Sequence, residues 1–384
     1  MRWAERLLLT RRIAVAIFQA NRTRGARVRV RMAVLGCAGA LVGGLALTAP
    51  LSASASSETI TVEPGHSIQA AVDKADPGDT IRLEEGTYTQ QVNIAKDDIT
   101  LKGAGAGETV IKPPTSPNGN CDNAEGPSGI CVGVAPIAED GTGNKVVEGT
   151  TIKDLTVTGF GGSGMFLFGT DQSKVENVHA TSNGRYGIFF NNSTHGVIRD
   201  NLATGNNEAG IYYGHIADAD GLITENTVRG NGNGIFVRDA SEGKVLDNTS
   251  TGNCIGILIL DTGAGPANNH WLVQGNDVDR NNRACPGANP PPPPPTSGVG
   301  IAVLSASFTT VRDNSVEGNN AGTNATIGTG GILVAAFGAP GNNNTVTDNT
   351  VENNSVDLFW DTQGTSNTFT DNDCDTSAIP TDLC

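Results

Sequence analysis

The stretch "RDNLATGNNEAGIYY" at 199–213 decides the fold, because the chain repeats its pattern. It contains one Asn, a second Asn five residues later, and then a Gly-Ile step followed by alternating apolar residues. The pattern returns as "TENTVRGNGNGIFV" at 224–237, "LDNTSTGNCIGILI" at 246–259 and "TDNTVENNSVDLFW" at 347–360. A base period of 22–25 residues, lengthened by insertions, is typical of proteins built from stacked units.

Each repeat predicts short strands rather than helices. Gly and Asn recur too often for a stable helix, and the apolar residues alternate with the two-residue period of a strand. Asn and Gly also tolerate the left-handed backbone of sharp corners. We therefore predict an all-β fold, a single-stranded parallel β-solenoid whose coils lie about 4.8 Å apart. The first Asn of each repeat, beginning at Asn177, is expected to hydrogen-bond to its equivalents in the adjacent coils.

The residue after each Gly, and the residue two positions later, are predicted to point into the core. This rule gives two apolar columns: Ile188, Ile211, Ile235, Ile257, Ile301, Ile332 and Leu358; and Phe190, Tyr213, Val237, Ile259, Val303, Val334 and Trp360. Each of these side chains contributes roughly 1.5–3 kcal/mol through burial. Because open strand edges at the ends of a stack invite aggregation, we also predict a short capping helix at 67–75 and a C-terminal plug at 374–384.

The first 55 residues have the pattern of a secretory leader. Residues 1–31 hold nine Arg and one Glu, an apolar run follows at 32–51, and Ala53-Ser54-Ala55 resembles a cleavage site. An uncut membrane anchor is the alternative, because the apolar run is near the minimum spanning length. We predict a leader at 1–55, no stable membrane span after its cleavage, and one β-helix domain at 56–384 that is secreted to the extracellular space.

The net charge of the chain limits the classes of partner that it can bind. Removing the leader takes away nine Arg and one Glu, which moves the formal net charge from −15 to −23. Such a surface excludes nucleic acid and anionic lipid as favourable partners. An acidic polysaccharide would be repelled as well, unless a divalent cation bridged it to carboxylates. Ca²⁺ is the oxygen-binding cation that suits this role, so we consider it as a cofactor.

Six cysteines follow the leader, and an even number in an exported chain favours disulfides. Their positions are Cys121, Cys131, Cys254, Cys285, Cys374 and Cys384. The sequence allows fifteen connectivities. Close spacing favours Cys121–Cys131 and Cys374–Cys384, which leaves Cys254–Cys285. Because no pair has C-x-x-C spacing, a zinc site is not expected.

The opening segment "SIQAAVDKADPGDTIRLEEGTYTQQVNI" at 67–94, followed by "DITLKGAGAGETVI" at 98–111, resembles the start of right-handed parallel β-helix proteins of the pectate-lyase superfold. The repeats are similar to those of that group, which includes the periplasmic nitrous-oxide accessory proteins. The resemblance covers about 60–384. It implies a right-handed β-helix, but function follows from sites rather than folds, since this scaffold hosts lyases, hydrolases, epimerases and adhesins.

A row of outward-facing aromatic residues lies between the two inward columns. Phe189, Tyr212 and Phe236 fall on consecutive coils. Rings about 5 Å apart would suit the apolar faces of sugars, so these residues are candidates for substrate binding. The alternative is that loops or another subunit cover the row, because exposed apolar stripes usually mark a contact.

The best polar cluster lies beside this row, where His215, Arg238, Asp239 and Asp261 fall on three neighbouring coils. Asp239 and Asp261 are candidate Ca²⁺ ligands. Arg238 and His215 are candidate catalytic residues, as a base or a charge stabiliser. The resemblance implies this chemistry, because in polyuronate lyases Ca²⁺ bridges the acidic sugar and a basic residue removes the C5 proton. The alternative is that these charges are solvated or paired at a corner.

Three functions remain open. The first is a secreted protein that binds a polysaccharide and modifies it by lyase or C5-epimerase chemistry. The second is a non-catalytic surface-structural or adhesion protein that uses the same face. The third, implied by the similarity of the repeats, is a periplasmic copper-accessory-like factor. The "NTDG", "WIDH" and "DPH" motifs of the superfold's enzymes are absent, and the five His residues are not expected to share one column.

Overall fold

The computed structural model describes residues 57–117, 119–123, 126–133, 146–285, 296–321, 329–375 and 377–384. The described residues belong to one compact unit, Ala55–Cys384. The predicted leader at 1–55 lies outside them. The described chain winds into a parallel β-solenoid of about 12 turns, as predicted from the repeats, and it is right-handed, as the resemblance implies.

Three series of parallel strand pairings run along the rod, and we call them sheets I, II and III. Sheet I contains Thr59–Val62, Thr80–Leu83, Thr100–Lys102, the first parts of Thr151–Thr158 and Lys174–Thr181, Val197–Arg199, Gly221–Thr224, the last part of Asn233–Leu246, Asn269–Gln274, Thr310–Arg312, Thr345–Thr347 and Thr368–Thr370. Sheet II contains Gly86–Thr89, Thr109–Lys112, the last parts of Thr151–Thr158 and Lys174–Thr181, Leu202–Thr204, Thr227–Arg229, Thr249–Thr251, Asp277–Asp279, Ser315–Glu317, Thr350–Glu352 and Asp373–Cys374.

Sheet III positions the candidate site. It contains Val92–Ile94, Ile130–Val132, Met165–Phe168, Tyr186–Asn191, Ala209–Ile216, the first part of Asn233–Leu246, Ile255–Leu260, Val299–Leu304, Gly330–Ala335, Leu358–Trp360 and Ala378–Ile379. Two small pairings lie beside the rod, Asp122–Asn123 with Gly126–Pro127 and Val147–Glu148 with Thr170–Asp171.

The predicted interior columns are confirmed. Ile211, Ile235 and Ile257 pair in register on consecutive coils and are fully buried. The other members of both columns are buried with them, except Trp360 at the C-terminal end, which is half-buried. The capping helix is Ile68–Lys74, and the Ser67 hydroxyl accepts a hydrogen bond from the Ala70 amide at 3.1 Å. This N-cap satisfies one of the free amides of the first turn.

Two files of buried Asn side chains run along the rod, as the repeated Asn pattern predicts. In each file the backbone amide and side-chain amide of one Asn donate to the side-chain oxygen of the next, as Asn226 does to Asn248 at 3.0 and 2.9 Å. The first file is Asn201, Asn226, Asn248, Asn276, Asn314, Asn349 and Asn372. The second is Asn183, Asn206, Asn231, Asn253, Asn281, Asn319 and Asn354.

The prediction is wrong for one residue of the first file. Asn177 is exposed, has a φ of 49°, and donates to Asp154 outside the core at 2.8 Å. The position beneath Asn201 is held by Val178, whose backbone amide donates to the Asn201 side chain at 2.9 Å. The file therefore begins one coil later than the sequence pattern indicates.

The three disulfides join the pairs that close spacing favours: Cys121–Cys131, Cys254–Cys285 and Cys374–Cys384. The last one closes the C-terminal tail, in which Leu383 is buried against the core. Such bonds are typical of proteins in oxidising compartments. Among the described residues, no helix is long and apolar enough to span a membrane.

Candidate functional site

The outer face of sheet III carries the predicted aromatic row in register. Phe189 pairs with Tyr212, and Tyr212 pairs with Phe236. Phe166 precedes Phe189 in the same row, although the repeat pattern did not predict it. The signal that could have found it is "GMFLF" at 164–168, where Met165 stands in the place of the usual Ile.

The first three rings of this row stack on each other rather than facing solvent. Phe166 and Phe189 have centroids 4.9 Å apart, and Phe189 and Tyr212 have centroids 4.5 Å apart, with planes within 13°. Tyr186 packs against the side of this stack, and the Cys121–Cys131 disulfide belongs to the same cluster. Phe189 is 4% exposed and Tyr212 is 2% exposed. Of the two alternatives for these two rings, the geometry favours coverage, because their faces are occupied by neighbouring rings.

Phe236 differs from the rest of the row. Its ring is turned 88° from the plane of Tyr212, with centroids 5.4 Å apart, and its side chain is half-buried. Because one face of Tyr212 already packs on Phe189, this T-shaped contact sets an edge of Phe236 against the other face of Tyr212. On its other side Phe236 packs against the apolar cluster that contains Leu258 of the next coil. Of the three predicted aromatic contacts, Phe236 is the one with accessible ring surface.

Asp239 is fully buried at the corner after the same strand. Its two carboxylate oxygens accept hydrogen bonds from the backbone amide of Thr262 at 2.7 Å and from the Thr262 hydroxyl at 2.6 Å. The loop that carries Thr262 crosses over this corner, and Gly265 sits so close that a Cβ there would lie 2.8 Å from the Asp239 Cβ. Asp239 thus anchors the loop at 262–268 to the coil before it.

The carboxylate oxygens of Asp261 also accept hydrogen bonds from this loop. Its carboxylate accepts from the backbone amides of Gly263 at 2.7 Å and Asn268 at 2.9 Å, which closes the same loop. The two predicted Ca²⁺ ligands therefore each spend both oxygens on backbone or hydroxyl donors of one loop. In the part of the chain that the structure describes, no three His, Cys, Asp or Glu side chains are grouped to hold a metal ion.

Arg238 carries a positive charge that is only partly compensated. Its Nε lies 3.3 Å from a carboxylate oxygen of Asp239 but makes no hydrogen bond among the described residues. The side chain is 37% exposed and lies on the outer face two residues after Phe236. On the far side of Gly214 in the same row, the buried side-chain oxygen of Asn191 also has no hydrogen-bond partner among these residues.

His215 lies beside Arg238 and Asp239, and its imidazole ring is held neutral. Its Nδ1 is 3.8 Å from Asp239, and its side chain is 37% exposed under the loop at 262–268. Partial burial lowers the pKa of His215, the positive charge of Arg238 lowers it further, and the Asp239 carboxylate opposes both effects. At neutral pH a ring of this kind can accept a proton, which is what a general base requires.

The structure therefore brings Phe236, Arg238, Asp239 and His215 together, as the register of the repeats predicts. Asp261 lies on the next coil but turns its oxygens into the loop. The repeat pattern gave no sign of Thr262, which binds both oxygens of Asp239. A Thr in an insertion of irregular length gives no periodic signal.

The residues that bind soft metals are scattered. The six Cys of the described residues are in disulfides, and Met165 is fully buried in the core. His195 and His270 lie on one corner of the rod, but three coils separate them, or about 14 Å. The nearest partners of His195 are carboxylates, with Asp171 2.6 Å from its Nδ1.

Comparison with solved structures agrees with the fold. The A-module of the Azotobacter vinelandii mannuronan C-5 epimerase AlgE4 superposes with a TM-score of 0.55 at 21% identity, covering 80% of this chain and 90% of that one. An alginate lyase from a Paenibacillus species superposes with a TM-score of 0.46 at 18% identity, covering 84% and 99%. At such identities the likeness concerns the fold alone. A search of curated proteins finds no match.

Two family models match the sequence. Residues 215–374 match the right-handed β-helix region. Residues 90–288, which are more than half of the chain, match the family described as periplasmic copper-binding protein (NosD). With this extent of match and the β-helix repeats in register throughout the described coils, the chain belongs to the NosD family.

Proposed function

We propose that this chain acts outside the cytoplasm and binds a polysaccharide on the outer face of sheet III, with a sugar carboxylate on Arg238. The observation that carries the proposal is the 37% exposed guanidinium of Arg238, whose Nε makes no hydrogen bond among the described residues and which lies on the same outer face as the half-buried Phe236. An Arg fork binds a carboxylate with two parallel hydrogen bonds. The exposed part of the Phe236 ring suits the apolar side of a sugar ring.

The net charge of the exported chain limits the ligand. Without the predicted leader the net charge is −23, so the protein repels a densely charged polyanion at long range. A polymer whose carboxylates are spaced among neutral sugars meets Arg238 with less repulsion. Partly esterified pectin should therefore bind more tightly than pectate of the same length.

The proposal is tested by binding measurements with pectate, partly esterified pectin and alginate. Arg238→Ala and Phe236→Ala are expected to weaken binding about tenfold or more, which corresponds to the loss of one charged contact or one stacking contact. Arg312→Ala is the matched control, because Arg312 lies on sheet I and bonds to Gln274 at 2.9 Å. Equal affinity of wild type and Arg238→Ala for every polymer would refute the site.

His215 adds a chemical step to this proposal. A uronate held on Arg238 would present its ring protons near the neutral imidazole, which can remove the proton at C5 and so begin elimination or inversion. The assays are absorbance at 235 nm for unsaturated uronides and NMR for C5 inversion, with His215→Gln as the comparison. If wild type binds but forms neither product, the chain is a non-catalytic binding protein, which is the second function left open by the sequence.

The family description implies copper, but the donor groups of this chain do not match what copper requires. Copper sites use thiolate, thioether or imidazole ligands brought together on one centre. In the described residues the Cys thiols are oxidised, Met165 is buried, and no three His, Cys, Asp or Glu side chains are grouped so that they could hold a metal ion. These residues do not fit a copper centre, and we assign no step of the function to the metal.

A further inference from the structure

The two ends of sheet I are open strand edges. At the N-terminal end, Thr59–Val62 pairs with Thr80–Leu83 on one side. At the C-terminal end, Thr368–Thr370 pairs with Thr345–Thr347 on one side. Among the described residues neither end strand pairs with any other strand. An unpaired edge presents a row of backbone donors and acceptors to another strand.

The end strands lack the usual protection against such pairing. Natural proteins place charged residues or Pro on exposed edges, but "TITV" and "TFT" contain neither. The third residue of several inner strands of sheet I is a cation instead: Arg82, Lys102, Lys153, Arg199 and Arg312. At the ends this position is Thr61 and Thr370. The charge thus lies inside the sheet and is missing from its two edges.

The apolar residues at the two ends are also incompletely covered. Ile60 and Phe369 point toward the interior column of sheet I and are half-buried, while Ile81 and Val346 beneath them are fully buried. One more strand at either edge would cover them. Both end strands read Thr-apolar-Thr, so the apolar residue of each end strand could cover the half-buried apolar residue of the other.

The outward-facing backbone donors and acceptors of the two end strands alternate so that each donor can meet an acceptor. Glu58 and Val62 accept bonds from the inner strand through their carbonyl groups, so the backbone groups of Thr59 and Thr61 face outward. On the other end, the Thr368 amide bonds inward, so the backbone groups of Phe369 face outward. With Thr59 opposite Thr368, the Phe369 amide reaches the Thr59 carbonyl, and the Thr61 amide reaches the Phe369 carbonyl.

We infer that copies of this chain associate head to tail, with Thr59–Val62 of one copy adding in parallel to Thr368–Thr370 of the next. This contact joins unlike surfaces and leaves both outer ends open, so it extends into rods rather than closing as a dimer. Because each end strand has only three or four residues, the contact is small and belongs to the weak class of interfaces, below about 1,200 Å². Association is therefore expected to depend strongly on protein concentration.

The first test is sedimentation velocity of the full chain from about 5 μM to about 500 μM, the range in which weak contacts saturate. Wild type should shift to faster species as the concentration rises. Thr61→Pro should remain monomeric, because it removes one outward amide without breaking a bond to the inner strand. Thr347→Lys, on an inner strand of the same sheet, should associate like wild type. A wild type that stays monomeric throughout, or a Thr61→Pro variant that associates equally, would overturn the inference.

The second test does not depend on the fold tolerating Pro. In the proposed register, Thr59 of one copy lies about 4.8 Å from Thr368 of the next, within the range that a disulfide bridges. Oxidation of a Thr59→Cys, Thr368→Cys variant should give a ladder of linked multimers on a non-reducing gel. The matched variant Thr59→Cys, Thr345→Cys places its thiols one coil too far apart and should give none. Ladders of equal strength from both variants would mean random collision and would reject the register.

Discussion

Replacing Asn231 with Ala removes one rung from the second Asn file. The Asn231 side-chain oxygen accepts from the backbone amide of Asn206 at 2.9 Å and from its side-chain amide at 3.0 Å. The Asn231 side-chain amide donates to the Ala203 carbonyl at 3.0 Å and to Asn253 at 3.1 Å. All of these groups are fully buried, so water cannot replace the lost partner.

The magnitude follows from the groups that are left without a partner. The side-chain amide of Asn206 keeps a bond to Ala180 at 3.0 Å, but its backbone amide loses the acceptor it uses. The Ala203 carbonyl loses a donor as well. Each buried polar group without a partner costs about 1–3 kcal/mol. The Ala203 carbonyl stays in a strand paired with Thr227–Arg229, so only the Asn206 backbone amide is left without a partner, and the expected loss is about 1–3 kcal/mol in the free energy of unfolding.

The assay is urea denaturation followed by circular dichroism, comparing midpoints at an unchanged m value. Asn177→Gly is the surface control, because Asn177 is exposed, makes one bond to Asp154, and has a φ of 49° that Gly adopts without strain. That variant should lose less than about 1 kcal/mol, as surface substitutions do. If Asn177→Gly and Asn231→Ala lost the same amount, or if Asn231→Ala lost less than about 1 kcal/mol, the Asn file would not be a main stabilising element of the rod.

Three further outcomes are expected. The hydrogen bond to Asp171 raises the pKa of His195 in the folded protein. The protonated ring therefore stabilises the fold at pH values below the ordinary pKa near 6.5, and this stabilisation is lost as pH rises through the higher pKa of the folded state. His195→Gln should lower the melting temperature more at pH 5 than at pH 8. The pKa of His215 is lowered in the folded protein, so the unfolded chain takes up this proton first as pH falls below about 6.5, and the wild type loses stability there. His215→Gln should reduce that loss of stability. Replacing Cys254 and Cys285 by Ala opens a link with a sequence separation of 31 and should cost about 3–4 kcal/mol, measured by urea denaturation; a change below about 1 kcal/mol would argue against the bond.

Much of the architecture follows from the sequence because a solenoid is periodic along the chain. Ile211, Ile235 and Ile257 recur at one repeat length, so the repeat alone predicts that they stack in one column. The buried Asn files follow in the same way, whereas the disulfides were predicted from the short sequence distance between two of the Cys pairs. The exception, Asn177, shows the limit of the pattern: a shift of one residue moves a side chain to the opposite face of a strand.

The candidate site could be predicted only in part. Register alone places Phe236, Arg238 and His215 on neighbouring coils, and the structure agrees. Whether their surfaces are free depends on contacts that do not repeat. Phe189 and Tyr212 are buried because Tyr186 and the Cys121–Cys131 disulfide pack beside the stack.

The sequence by itself determined the coil, its repeat length, its interior columns and the neighbours along each file, because every coil must match the next through local backbone pairing. The tertiary structure alone decided which outer groups remain available to a ligand. The loop at 262–268 folds back onto Asp239 and closes on Asp261, and so takes the oxygens that sequence reasoning assigned to Ca²⁺. Such loops vary in length from coil to coil, and their path is set by the packing of distant residues rather than by the period of the chain.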